Sequence, residues 1–78
     1  MIEAYVLVNL KPGKEKEFIE FVKKELSSML LDISLVYGEY DSILKVKIES
    51  FDKLRNAIID KLRKLDYVER TITLIVAS

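Results

Sequence analysis

The sequence predicts an α+β fold in which one four-stranded antiparallel sheet carries two helices on a single face. Two observations predict it. Six periodic segments follow one another as strand, helix, strand, strand, helix, strand, the helices marked by a 3.6-residue period and the strands by alternation. A length of 78 residues leaves room for one modest core and no separable second module.

Each element has its own local cause. Met1 to Leu10 is β-branched and aromatic, with Ile2, Ala4, Val6 and Val8 on one face and Tyr5 and Leu7 on the other, so both faces are largely apolar. Lys11-Pro12-Gly13-Lys14 is a turn, and Pro12 favours helix entry soon after it. From Lys14 to about Leu26, Phe18, Phe21, Val22 and Leu26 recur at helical spacing, opposite Lys16, Glu17, Glu20, Lys23 and Lys24. Ser27-Ser28 interrupts that pattern.

Met29 to Tyr37 reads as a second strand with Leu31, Ile33, Leu35 and Tyr37 on one face, and Ser42 to Ile48 as a third with Leu44, Val46 and Ile48 inward. The polar break at Gly38 to Asp41 joins them as a hairpin. Ser50 or Asp52 can cap the second helix, with Phe51 packing back on it. That helix runs to about Leu65 on a stripe of Leu54, Ala57, Ile58, Leu62 and Leu65, with Asp60 and Lys64 placed as an i,i+4 ion pair. Tyr67 to Ala77 is the last strand. Two right-handed crossovers and one hairpin give a ferredoxin-like βαββαβ sandwich. Two helices cover only one face, so Tyr5, Leu7 and apolar residues of the last strand are left facing water. A sheet-on-sheet homodimer with further assembly is the expected remedy.

Composition excludes more than it supports. Lys plus Arg and Asp plus Glu are both 13, so no net field recruits nucleic acid. The chain has no Cys and no His; disulfides, thiol nucleophiles, imidazole bases and the usual zinc or haem ligands are absent, and neither metal nor cofactor is expected. No basic leader precedes Ile2 and no apolar run reaches the ~18–20 residues of a membrane span, so a cytoplasmic location is expected. Ten Lys and eight Glu against no Gln and two Asn is a bias resembling that of thermophile proteins.

Three chemistries compete for the loop and the sheet. Glu39 and Asp41 stand two apart, as acid–base work can use, but turn carboxylates ordinarily bond backbone and no partner group can be placed opposite them. RNA recognition on this topology needs aromatics on the third strand, and "SILKVKI" has none. Small-ligand binding at a subunit interface uses what is present: Gly38 for backbone geometry, Asp41 for a ligand amine, and Thr71 and Thr73 as hydroxyls on one face of the last strand. Tyr37 and Tyr40 can wall such a pocket or simply pack at the edge.

The segment "YGEYDSILKVKIESFDKLRNAIIDKLRKLDYVERTITLIV" resembles the effector-binding (RAM) domain of the Lrp/AsnC transcription regulators. The resemblance lies in Gly38, an aromatic at Tyr40, Asp41, then Leu65, Val68 and the Thr71-x-Thr73 that opens the last apolar strand, and its topology extends back to Met1. It implies a dimer through the sheets, octamers or related rings, and amino-acid effectors bound between dimers. Gly38, Glu39, Tyr40 and Asp41 would supply loop contacts, with Thr71 and Thr73 as further polar partners.

The family's regulators carry an N-terminal helix-turn-helix domain, whereas here the effector domain begins at Met1. Residues 1–78 are therefore expected to be a single ligand-binding domain that does not contact DNA directly, is not an enzyme, and either senses an amino acid or modulates full-length Lrp/AsnC regulators. A small dimeric α+β barrel enzyme and a purely structural assembly module are the alternatives.

Overall fold

A computed structural model describes residues 1–78. The chain forms β1 (Ile2–Leu10), α1 (Glu15–Glu25), β2 (Leu30–Leu35), β3 (Ser42–Ile48), α2 (residues 51–63) and β4 (Val68–Ile75). The strands lie in the order β2-β3-β1-β4 with every neighbouring pair antiparallel. This is the expected ferredoxin-like sheet, with β3 and β1, the strands that carry most of the buried residues, at its centre.

Alternation fixes which side is core. Ala4, Val6 and Val8 of β1 and Leu44 and Val46 of β3 are fully buried beneath Phe18, Val22 and Leu26 from the first helical segment and Leu54, Ile58 and Leu62 from α2. Each of these side chains larger than alanine contributes roughly 1.5–3 kcal/mol on leaving water, and together they hold both helices on one face. The opposite face stays open. Tyr5, Leu7, Ile43, Ile72 and Leu74 share it, Tyr5 opposite Leu74 and Leu7 flanked by Ile43 and Ile72. Leu74 is 51% exposed. Lys45 lies over the Tyr5 ring and 3.8 Å from Glu3, a polar margin beside this patch.

Local chemistry sets the helix ends. Gly13 takes a positive φ of 84° in the turn before α1, and its amide donates to Glu15 Oε2 at 3.2 Å. Glu15 and Glu17 occupy the first turn and Lys23 and Lys24 the last, each sign opposing the helix dipole. Ser50 caps α2, its Oγ accepting from the Lys53 amide at 3.2 Å.

Several expectations need correction. β2 ends at Leu35, and a register shift between Leu30 and Asp32 inserts an extra residue. Leu30, opposite Val46, therefore joins Ile33 on the core face, while Leu31 is exposed. Phe51 is 60% exposed and does not join the core. Asp60 and Lys64 are not among the four ion pairs of the molecule. Within α2, Leu54–Ile59 widens into a π-helix, where the Asp60 amide donates to the Arg55 carbonyl, five residues back. The helix stops at Arg63 rather than Leu65, which remains partly buried against the core.

Candidate functional site

The β2–β3 connection, residues 36–41, is held from three directions. Backbone pairing continues past β2 and β3, with the Val36 amide donating to the Asp41 carbonyl at 2.9 Å and the Asp41 amide to the Val8 carbonyl at 2.9 Å. Beyond Val8, the next β1 amide aimed at this side is that of Leu10. Asp41 Oδ2 accepts from it at 2.7 Å, so a carboxylate extends the ladder where β3 has run out of backbone. A hydrogen bond to a charged acceptor contributes about 1.5–3 kcal/mol. Asp41 thus bonds backbone, as turn carboxylates do, but that of β1 rather than its own loop.

The other tethers come from the open sheet face. Asn9 Nδ2 donates to the Glu39 carbonyl at 2.6 Å. Arg70 Nη2 donates to Tyr40 Oη at 2.8 Å, and the guanidinium lies 5.4 Å from the centre of the Tyr40 ring. Asn9 and Arg70 are cross-strand partners on β1 and β4. Both tethers join residues 30 apart in sequence. Reasoning from the sequence passed over them, although a legible signal exists: each is a polar residue continuing an otherwise apolar open-face row, Asn9 after Tyr5 and Leu7, and Arg70 before Ile72 and Leu74.

Held in this way, the loop leaves a run of backbone free. Gly38 has φ 129°, a conformation that side-chain-bearing residues rarely adopt, and a Cβ there would meet no atom within 4 Å. Its glycine is required by the backbone turn and not by crowding. The amides of Tyr37, Gly38, Glu39 and Tyr40 donate to no acceptor within the chain. Tyr37 is fully exposed. An open groove of about 480 Å³ lies against the loop, lined by Leu35, Val36, Tyr37, Asp41 and Glu15. Three apolar or aromatic side chains and two carboxylates form its walls.

The structure places Thr71 and Thr73 differently from the loop. They pair with Val8 and Val6 and so share the helix-facing side of the sheet, whereas Glu39 and Tyr40 are tied to open-face residues. Asp41 and Thr71 flank Val8 from opposite sides, two strand spacings or roughly 10 Å apart. Gly38, Glu39, Tyr40 and Asp41 are thus brought together, and the two threonines stand apart from them on the far side of β1.

Elsewhere the chain is chemically quiet. No cluster of His, Cys, Asp or Glu is arranged to hold a metal ion, and no helix is long and apolar enough to cross a membrane. Tyr67, buried in the turn just before β4, has its hydroxyl pKa raised above the ordinary value near 10, by burial first and then by the negative charges of Glu17 and Asp66.

Sheet order and one-sided helices define a ferredoxin-like α+β domain with a tethered glycine loop at one end of its sheet. The chain belongs to the Lrp/AsnC ligand binding domain family, whose pattern matches residues 3–78. It is similar to the uncharacterized HTH-type transcriptional regulator PH0140 of Pyrococcus horikoshii, 30% identical over 77 residues that make up 99% of this chain and 48% of that protein. A regulator of the same description from Pyrococcus furiosus, PF0250, is 29% identical over 92% of this chain and 49% of its own length. The chain spans about half the length of the curated relatives it matches.

Among solved structures, FFRP-DM1 superposes with a TM-score of 0.84 at 35% identity, covering 97% of this chain and 99% of that one. The NMB0573/L-Met complex from Neisseria meningitidis superposes at 0.85 with 19% identity, over 99% of this chain and 50% of that one, a likeness of fold alone.

Proposed function

We propose that the chain is an amino-acid-responsive assembly module of Lrp/AsnC-type regulation. It pairs sheet to sheet into a homodimer and further into an octamer or similar ring, and binds a small amino acid where loops of neighbouring dimers meet. The observation that carries this reading is the tethered loop. It offers unengaged amides from Tyr37 to Tyr40 beside a groove with apolar walls and two carboxylates. Exposed amides suit a ligand carboxylate, Asp41 and Glu15 suit an ammonium group, and Leu35 and Tyr37 suit an apolar side chain. A ligand-bound relative, NMB0573, was solved with L-Met, which supports an amino acid as the ligand class.

In this reading Gly38, Glu39, Tyr40 and Asp41 form the loop contacts, and Thr71 and Thr73 reach the ligand only from an adjoining copy. The apolar open face is the dimer surface. The module acts in the cytoplasm without contacting DNA itself, by population shift: a ligand that fits one assembly better than another favours it in proportion to that difference. Co-assembly with full-length Lrp/AsnC regulators would transmit the shift.

Calorimetry against the twenty amino acids, run beside light scattering, tests both halves. Binding of a subset, with a change in particle mass, is the expected result. Heat from none of them and a constant mass would remove sensing and leave an assembly scaffold.

A further inference from the structure

The end of the molecule opposite the loop of residues 36–41 has a groove of its own, of about 380 Å³. It opens where β3 runs out, for Ile48 pairs with Ile2 there, whereas Ser42 pairs with Val8 beside the loop. The length of β1 from Ile2 to Val8 separates the two ends, roughly 20 Å. Met29, Ile48 and Ala57 give the groove an apolar wall, and Ser28, Asn56, Lys47 and Lys53 bring donors to it. Glu49 is its one carboxylate, and the Lys53 ammonium already holds it at 3.2 Å. Lys47 forms no ion pair. The side chains of Ser28 and Asn56 have no hydrogen-bond partner within the chain.

The helical wall of this groove is also where the backbone ladder of α2 comes out uneven. The Leu54 amide donates to the Ser50 carbonyl, four residues back, and the Asp60 amide to the Arg55 carbonyl, five back. Between these two bonds the five amides of residues 55–59 face the four carbonyls of residues 51–54, so an ordered ladder leaves one donor over. Asn56 and Ala57 stand in the middle of that run and line the groove. Widened turns of this kind recur at functional sites.

We propose that this groove is a second small-molecule site, selective for a short-chain monocarboxylate with an apolar tail and no ammonium group. Charge decides the class. Free donors and an unpaired cation suit an anion, and the sole carboxylate is occupied, so nothing is left to receive an ammonium group. The groove beside residues 36–41 has the reverse balance, with Glu15 and Asp41 and no cation among its walls. In the end groove the ligand carboxylate lies against Asn56, Ser28 and the Lys47 ammonium, and the tail against Met29, Ile48 and Ala57. This site does not depend on ligand binding at the loop.

Isovalerate, a branched monocarboxylate, is the probe, and isoamylamine carries the same tail on an ammonium group. In titrations followed by amide NMR, isovalerate is expected to shift the resonances of Ser28, Met29, Asn56 and Ala57 saturably while those of residues 36–41 stay in place. Isoamylamine is expected to leave all of them unmoved. Asn56→Ala, at an exposed position, should weaken isovalerate about tenfold, and Lys47→Gln should weaken it less. Ala57→Met fills the groove and should abolish the shifts, with unchanged resonances in β1 showing that the chain still folds. Shifts that do not saturate, shifts confined to residues 36–41, or equal binding of isoamylamine overturn the proposal. Full affinity in both Asn56→Ala and Lys47→Gln does so as well.

Discussion

The sheet has two margins, β2 and β4, and they are built on opposite lines. β2 is interrupted by a register shift at Leu31 and carries Asp32, whose Oδ1 accepts from the Ile33 amide at 2.9 Å. That amide belongs to the row turned away from β3, so a carboxylate occupies a group a foreign strand would need. A bulge, a charge and an occupied donor are three ways of closing an edge. β4 gathers its charges, Glu69 and Arg70, and its own register shift at its start, and from Thr71 onward it has none of these. Over Thr71 to Ile75 the β4 margin is therefore the more open of the two.

Five substitutions, taken in four steps, break or sharpen that contrast. The largest effect removes the ground on which both margins stand. Phe18→Ala empties a fully buried site beneath the sheet and should cost about 3–5 kcal/mol in urea titration, loosening both edges together. Asp41→Ala is next. It strands the Leu10 amide at the end of β1 and should cost about 1–3 kcal/mol by the same titration, with exchange accelerating in residues 36–41 before it does in β4.

The third change exchanges the characters of the two edges. Asp32→Ala reopens the Ile33 amide and should add a concentration-dependent species in sedimentation velocity, whereas Thr71→Lys should diminish association through β4. Both residues are at least partly exposed, so each should shift folding stability by no more than about 0.5 kcal/mol. Unchanged sedimentation in both variants would show that the edges do not differ.

The smallest effect appears only in alkali. Because the Tyr67 pKa is raised in the folded chain, the unfolded chain ionises first as pH climbs past about 10. Its phenol then holds fewer protons than the native one, and stability falls from there upward. Tyr67→Phe should flatten that decline, measured as the urea midpoint between pH 8 and 11, while leaving it unaltered near neutrality.

Much of the architecture is legible in the sequence alone, for a physical reason. Period two in β1 and β3 and the Phe18, Val22, Leu26 spacing of the first helix report which face is dry, and tertiary packing agreed with those local signals. Where the reading erred, an added residue left no compositional trace. Leu30 and Leu31 are both leucine, so nothing in the letters tells which of them points inward once the strand bulges. The site divides along the same line. Gly38 through Asp41 are contiguous and could be read as one loop. Its tethers at Asn9 and Arg70 arise from sheet register, which pairs residues far apart in the chain. The separation of Thr71 and Thr73 from that loop follows from strand order, with β1 standing between.

The π segment of α2 has a bearing on chain length. Leu54, Ile58 and Leu62 are spaced by four, and at 3.6 residues per turn such a row would creep about 40° around a straight α-helix at each step. The widened turn at Leu54–Ile59 absorbs part of that creep and keeps all three leaning on the sheet. It works as a built-in slack of one residue. Excising a single residue there lets the ladder close to ordinary i→i−4 bonds, while the same excision in α1 rotates Leu26 out of the core.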